Sequence, residues 1–180
     1  MLLSVVMAAL VAGQSPQDQF FDRLSALCGQ RFEGRLASAP TAADAPFQQR
    51  LVVEVRDCQA DEIRMPLTVG EDRSRTWIVT RTAAGLRLKH DHRHPDGSED
   101  RLTQYGGDTA APGTAERQAF PADSYSKDLF RRENAAVSVS NVWALEIRPS
   151  SDLVYELSRP DRLFRLAFDL KQPLDARTGK

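Results

Sequence analysis

Gly85-Leu-Arg-Leu-Lys-His-Asp-His-Arg-His-Pro-Asp-Gly-Ser-Glu-Asp-Arg-Leu-Thr-Gln-Tyr-Gly-Gly107 holds all three histidines of the chain, at alternate positions. Alternate side chains of an extended strand share a face. Leu86, Leu88, His90, His92 and His94 therefore line up on one side, with Lys89, Asp91 and Arg93 on the other. Asp96-Gly97 suits the positive φ angles of a two-residue type I′ turn. Such a turn predicts His94 opposite Glu99, His92 opposite Arg101, His90 opposite Thr103 and Leu88 opposite Tyr105. A longer loop would shift these pairs.

The same period of two runs outward in both directions. Upstream, Trp77-Ile-Val-Thr-Arg81 leads through Ala83-Ala84-Gly85 into the histidine strand. Ile63, Met65, Leu67 and Val69 alternate with Arg64, Pro66 and Thr68. Pro66, lacking an N–H, predicts an edge strand or a bulge there. Leu51-Val-Val-Glu-Val55 and the alternation of Phe32, Gly34 and Leu36 with Arg31, Glu33 and Arg35 read as two more strands.

Downstream, residues 106–134 are irregular, with a short helix expected over Ser126–Arg132. Strand patterns resume with Val137, Val139, Trp143, Leu145 and Ile147, then Leu153, Tyr155 and Leu157, then Phe164, Leu166, Phe168 and Leu170. Trp77 and Trp143 read as core side chains, because both sit in apolar runs. Eight to ten short strands with hairpin-length links predict an all-β, antiparallel up-and-down β-barrel. A two-sheet β-sandwich is the alternative.

One helix precedes the strands. Ser15 suits an N-cap and Pro16 the first helical position, and Phe20, Phe21, Leu24, Leu27 and Cys28 follow at helical spacing. Gly29 supplies a stop, so the helix is expected over 15–29. Its apolar stripe should pack on the sheet or plug one end of it.

The 180 residues suit one domain, and 27% charged with 41% hydrophobic residues is an ordinary globular mixture. A net charge of -1 argues against a nucleic-acid partner. Met1-Leu-Leu-Ser-Val-Val-Met-Ala-Ala-Leu-Val-Ala-Gly13 reads as a secretory leader, too short to span a bilayer. The expected organisation is therefore a signal peptide at 1–13, a single barrel domain at 14–175 and a tail at 176–180, with no integral membrane segment in the mature chain. In an exported, secreted or periplasmic protein the two cysteines, Cys28 and Cys58, read as a disulfide.

Leu27-Cys-Gly-Gln-Arg-Phe-Glu-Gly34, Arg81-Thr82, His90–His94, Tyr105-Gly-Gly107 and Phe168-Asp-Leu170 together give the chain a resemblance to small secreted bacterial proteins to which no activity is attached. The strand pattern more loosely resembles the lipocalin and nitrobindin barrels. That resemblance implies a lumen for a small hydrophobic molecule or haem. The chain lacks a Gly-x-Trp motif near its first strand, and it has no histidine beyond His94.

The histidine face supports two kinds of chemistry. As a polar pocket, His90, His92, Arg101, Thr103 and Tyr105 would receive the head of an amphipathic small molecule whose apolar part lies deeper. No cofactor is needed for that reading. Alternatively, His90, His92, His94 and Glu99 would hold zinc or another divalent metal, since neutral imidazole is a favoured ligand, and a metal-dependent hydrolase would follow. A third reading is an interaction module with a filled core. There is no Gly-x-Ser-x-Gly elbow, no phosphate-binding Gly-Lys-Ser/Thr loop and no His-Glu-x-x-His, so no catalytic activity is assigned.

Overall fold

The computed structural model describes residues 13–175. The leader at 1–13, apart from Gly13, and the tail at 176–180 lie outside the described residues. Ten antiparallel strands form one sheet: β1 (Arg31–Leu36), β2 (Leu51–Glu54), β3 (Glu62–Val69), β4 (Asp72–Thr82), β5 (Gly85–His92), β6 (Tyr105–Asp108), β7 (Arg117–Pro121), β8 (Val142–Arg148), β9 (Asp152–Arg159) and β10 (Arg162–Leu174). The order is β6-β5-β4-β3-β2-β1-β10-β9-β8-β7, so every strand but β6 and β7 pairs with its neighbours in sequence, and β1 joins β10. The sheet curls into a nearly closed barrel, with β6 and β7 facing each other across the remaining seam.

Alternation drives this arrangement. Ile63, Met65, Leu67 and Val69 of β3 all point inward and are buried, as are Phe164, Leu166 and Phe168 of β10. Leu170, expected on the same buried face, is only half-buried. β3 is not an edge strand but lies between β2 and β4. Its ladder with β2 ends at Val53–Leu67, just before Pro66, which has no N–H to donate.

The seam is closed by side chains and by a second helix, α2 (Ser124–Arg132). Asp123 N–H donates to the Gly106 carbonyl at 3.0 Å. The Ser126 hydroxyl donates to that carbonyl at 2.9 Å and accepts from the Gly106 N–H at 2.7 Å. Lys89 pairs with Asp123, the α2 N-cap, at 2.6 Å. Gly107 faces the Pro121 carbonyl so closely that no side chain would fit. The Val137–Val139 stretch, expected to be strand, is instead a 3-10 turn over Ala136–Ser140, with Val137 exposed.

The first helix, α1 (Pro16–Ser25), is shorter than expected. Ser15 caps it by accepting from the Asp18 N–H at 3.1 Å. The chain leaves the helix at Ala26 and turns through Cys28 and Gly29, whose N–H donates to the Val55 carbonyl at 2.8 Å. Cys28 is bonded to Cys58 as a disulfide, tying this turn to the loop after β2. Phe20, Phe21 and Leu24 of α1 are buried, and the helix packs against β5, β7 and β8. Asp18 and Asp22 both pair with Arg81 near the end of β4. α1 thus stoppers the end of the barrel where β4 finishes and β5 begins.

Candidate functional site

At the opposite end a cup of about 240 Å3 opens inside the barrel. β4 contributes Arg75 and Trp77, β5 His90 and His92, β6 Tyr105, β9 Tyr155, Leu157 and Arg159, and β10 Arg162, Phe164 and Leu166. A 3-10 turn over Ala42–Gln48, between β1 and β2, adds Ala43, Asp44 and Phe47. The short turns between strands bring these residues together. Thr82 pairs with Gly85, which places Trp77 opposite His90. Arg159 pairs with Arg162, which places Leu157 opposite Phe164 and Tyr155 opposite Leu166.

His90 is buried, and both of its ring nitrogens are engaged. Nδ1 lies 3.1 Å from the Tyr105 carbonyl, which can only accept, so Nδ1 carries the hydrogen. Nε2 is then bare and accepts from the Tyr155 hydroxyl at 2.9 Å. Burial pushes the imidazole pKa down to about 3, with smaller contributions from His92 and Lys89, so the ring is neutral. Burial likewise raises the Tyr155 and Tyr105 phenols, and both hydroxyls keep their protons. The Trp77 ring stacks on Tyr155 with centroids 4.2 Å apart, and Tyr105 stacks on His90 at 4.6 Å. The Tyr105 hydroxyl reaches Nε2 of His92 at 3.3 Å. Burial, followed by the charge of Arg75, lowers the His92 pKa as well.

Above this neutral aromatic wall lie charges. Arg162 pairs with Asp44, whose carboxylate also accepts from the Thr41 N–H and hydroxyl at 2.8 Å each. The Arg162 guanidinium, the largest influence, holds the Asp44 carboxyl well below the usual carboxylate range. Arg75 pairs with Asp72, and its guanidinium lies over the Phe47 ring. Arg159 donates to Asn141 Oδ1 at 3.1 Å and has no carboxylate partner among the described residues.

The residues expected from the hairpin divide. His90, His92 and Tyr105 line the cup. Thr103 is buried beside it, its hydroxyl accepting from the His92 N–H at 2.8 Å. Arg101 does not reach the cup: its side chain is 83% exposed and pairs with Glu133. The cause is a changed register. His90 pairs with Tyr105 rather than Thr103, and Leu88 with Gly107 rather than Tyr105. The tip is not a two-residue turn. His94 and Ser98 close it, with Gly97 alone at positive φ, and Gln104 adopts a left-handed conformation before β6. The two-residue slip is even, so His90 and Tyr105 still share the inward face.

The alternative set His90, His92, His94 and Glu99 is not gathered. His94 and Glu99 are exposed, Glu99 pairs with Arg93, and His90 has no free nitrogen. Among the described residues no three His, Cys, Asp or Glu side chains come together as a metal site.

Trp77, Tyr155, Arg75, Arg159, Arg162 and Phe164 escaped the reading of the histidine stretch because they come from other strands. The signal was present in the turns. Two-residue links at Ala83-Ala84 and Pro160-Asp161 fix the pairing of Trp77 with His90 and of Leu157 with Phe164. No protein family, no curated protein and no solved structure matches this chain.

Proposed function

We propose that this protein binds a small, largely apolar molecule in the open cup of its barrel. One observation carries the reading: α1 buries Phe20, Phe21 and Leu24 at one end of the barrel, whereas a cavity of about 240 Å3 opens at the other, walled by Trp77, Tyr155, Phe164 and Leu166. Protein interiors otherwise pack to near-crystalline density, so an open space faced with large aromatic rings is a site to be filled. The loose likeness to lipocalin and nitrobindin barrels supports the same reading at the level of fold. The groups in the cup suit binding better than bond breaking. The phenols hold their protons, and His90 is locked at both nitrogens. Metal binding through the histidines is the weaker reading, because the set is dispersed.

The disulfide between Cys28 and Cys58 supports a secreted or periplasmic location, where such bonds persist. No helix of the described residues is long and apolar enough to cross a membrane.

The test is a calorimetric titration with a neutral two-ring probe, 2-naphthylmethanol. Saturable one-to-one binding is expected. Leu157→Trp, which fills the cup, should abolish it while leaving the thermal midpoint in place. Absence of saturable binding, or binding indifferent to Leu157→Trp, overturns the reading. Native mass spectrometry of protein purified from its own host should show a retained small molecule.

A further inference from the structure

We propose that the ligand of the cup is a small aromatic carboxylic acid, its ring against Trp77, Tyr155 and Phe164 and its carboxylate on Arg159. This rests on the reading of the cup as a ligand site and adds the chemical class of the ligand.

The argument is one of charge pairing. Three arginines face the cup, and two of them are already neutralised, Arg75 by Asp72 and Arg162 by Asp44. Arg159 is partly buried at the mouth and has only the neutral amide of Asn141 as a partner among the described residues. Burial and the charge of Arg162 both act against its positive form. A guanidinium in that position gains most from an anion that arrives with the ligand. Its planar fork matches a carboxylate, and one unpaired cation suits a monoanion better than a phosphate dianion.

The position of Arg159 also fits. A second cleft of about 340 Å3 lies beside the cup and is lined by Phe130, Leu102 and Asn141, with Asp100 among its other residues. The two spaces share His92, Tyr105, Leu157 and Arg159. Arg159 therefore stands on the wall common to both spaces, where a ligand leaves the aromatic cup. The scale suits a bicyclic acid: a cavity of about 150 Å3 accepts a single benzene ring, and this cup is larger.

The experiment compares 2-naphthoate with 2-naphthylmethanol by calorimetry on the full chain. The acid should bind wild type roughly tenfold or more tightly than the alcohol, the scale of one charge-assisted hydrogen-bonded pair. Arg159→Gln should erase that preference, bringing the acid's affinity down to that of the alcohol, and an unchanged thermal midpoint shows that the variant is folded. Arg159→Lys, keeping the charge without the fork, should retain part of it. Equal affinity of acid and alcohol for wild type overturns this proposal and leaves the cup as a site for neutral ligands. A preference that survives Arg159→Gln likewise overturns it, placing the anion elsewhere. If neither probe binds, the reading of the cup itself fails.

Discussion

At one end of the barrel Phe20, Phe21 and Leu24 of α1 are buried between the strands; at the other, equally large rings stand around an opening. The closed end keeps its ion pairs outside, as in the pairs of Asp18 and Asp22 with Arg81. The open end brings polar groups inside and pairs the ionisable ones: His90 with Tyr155 and with the Tyr105 carbonyl, Arg162 with Asp44. Both ends belong to the same strands, since β4 carries Arg81 at one and Trp77 and Arg75 at the other. The difference teaches that the sequence was able to close this barrel with apolar side chains and does so at only one end. Departures from dense apolar packing mark functional sites.

The largest expected effect lies at the closed end. Phe20→Ala removes a fully buried ring and should destabilise the fold by about 3–5 kcal/mol, the scale of large-to-small core substitutions. Denaturant unfolding measures it. The same variant should bind 2-naphthylmethanol with wild-type affinity. A loss below about 1 kcal/mol would show that the α1 end is loosely filled, and the contrast between the ends would collapse.

A smaller effect is expected from the open end, and it depends on pH. His90 has its folded-state pKa lowered to about 3, below the ordinary value of 6.5, because burial opposes the charged ring. Below pH 6.5 the unfolded chain takes up a proton that the folded chain refuses. Stability is therefore full above this range and falls as the solution is acidified, by about 2 kcal/mol at pH 5. His92, shifted in the same direction, adds to the slope. The carboxylates with depressed pKa values, such as Asp44, begin to lose their contribution only below the ordinary carboxylate value of 3.8. Urea unfolding of wild type and His90→Gln between pH 7.5 and pH 5 measures the difference. The variant should lose most of the dependence. An undiminished slope in His90→Gln would mean that the imidazole is not sealed from water.

The two ends were not equally legible in the sequence. The closed end follows from a helix with Ser15, Pro16 and an apolar stripe, and from strands such as Ile63–Val69 whose alternation points one set of side chains inward. Those are local patterns, and local patterns survive folding where burial rewards them. The open end depends on register and on distant strands. Asp96-Gly97 suggested the tightest turn, but the chain closes its tip through His94 and Ser98 and inserts irregular residues up to Gln104. Arg101 and Thr103 consequently left the expected face, whereas His90 and Tyr105 kept it. Tyr155, Arg159 and Arg162 lie far from the histidines in sequence, and only the pairing of β1 with β10 brings β9 and β10 around to them.

The smallest expected effect separates Arg101 from Arg159, two arginines with the same chemistry in different settings. Arg101 is 83% exposed, so water screens its pair with the more buried Glu133, 2.7 Å away, from the arginine side. Such a pair gains little, because solvent screens it and two long side chains must be ordered to form it. Arg101→Gln should therefore change stability by no more than about 0.5 kcal/mol, and it should leave the affinities of 2-naphthoate and 2-naphthylmethanol where they were. Arg159→Gln should instead change the acid's affinity selectively. If Arg101→Gln weakened the acid as much as Arg159→Gln does, the 93–104 hairpin would have to fold over the mouth when ligand enters, carrying Arg101 away from Glu133 towards the carboxylate. The open end would then be a closing one, and a salt-dependent slow phase in 2-naphthoate binding, absent from Arg101→Gln, would reveal it.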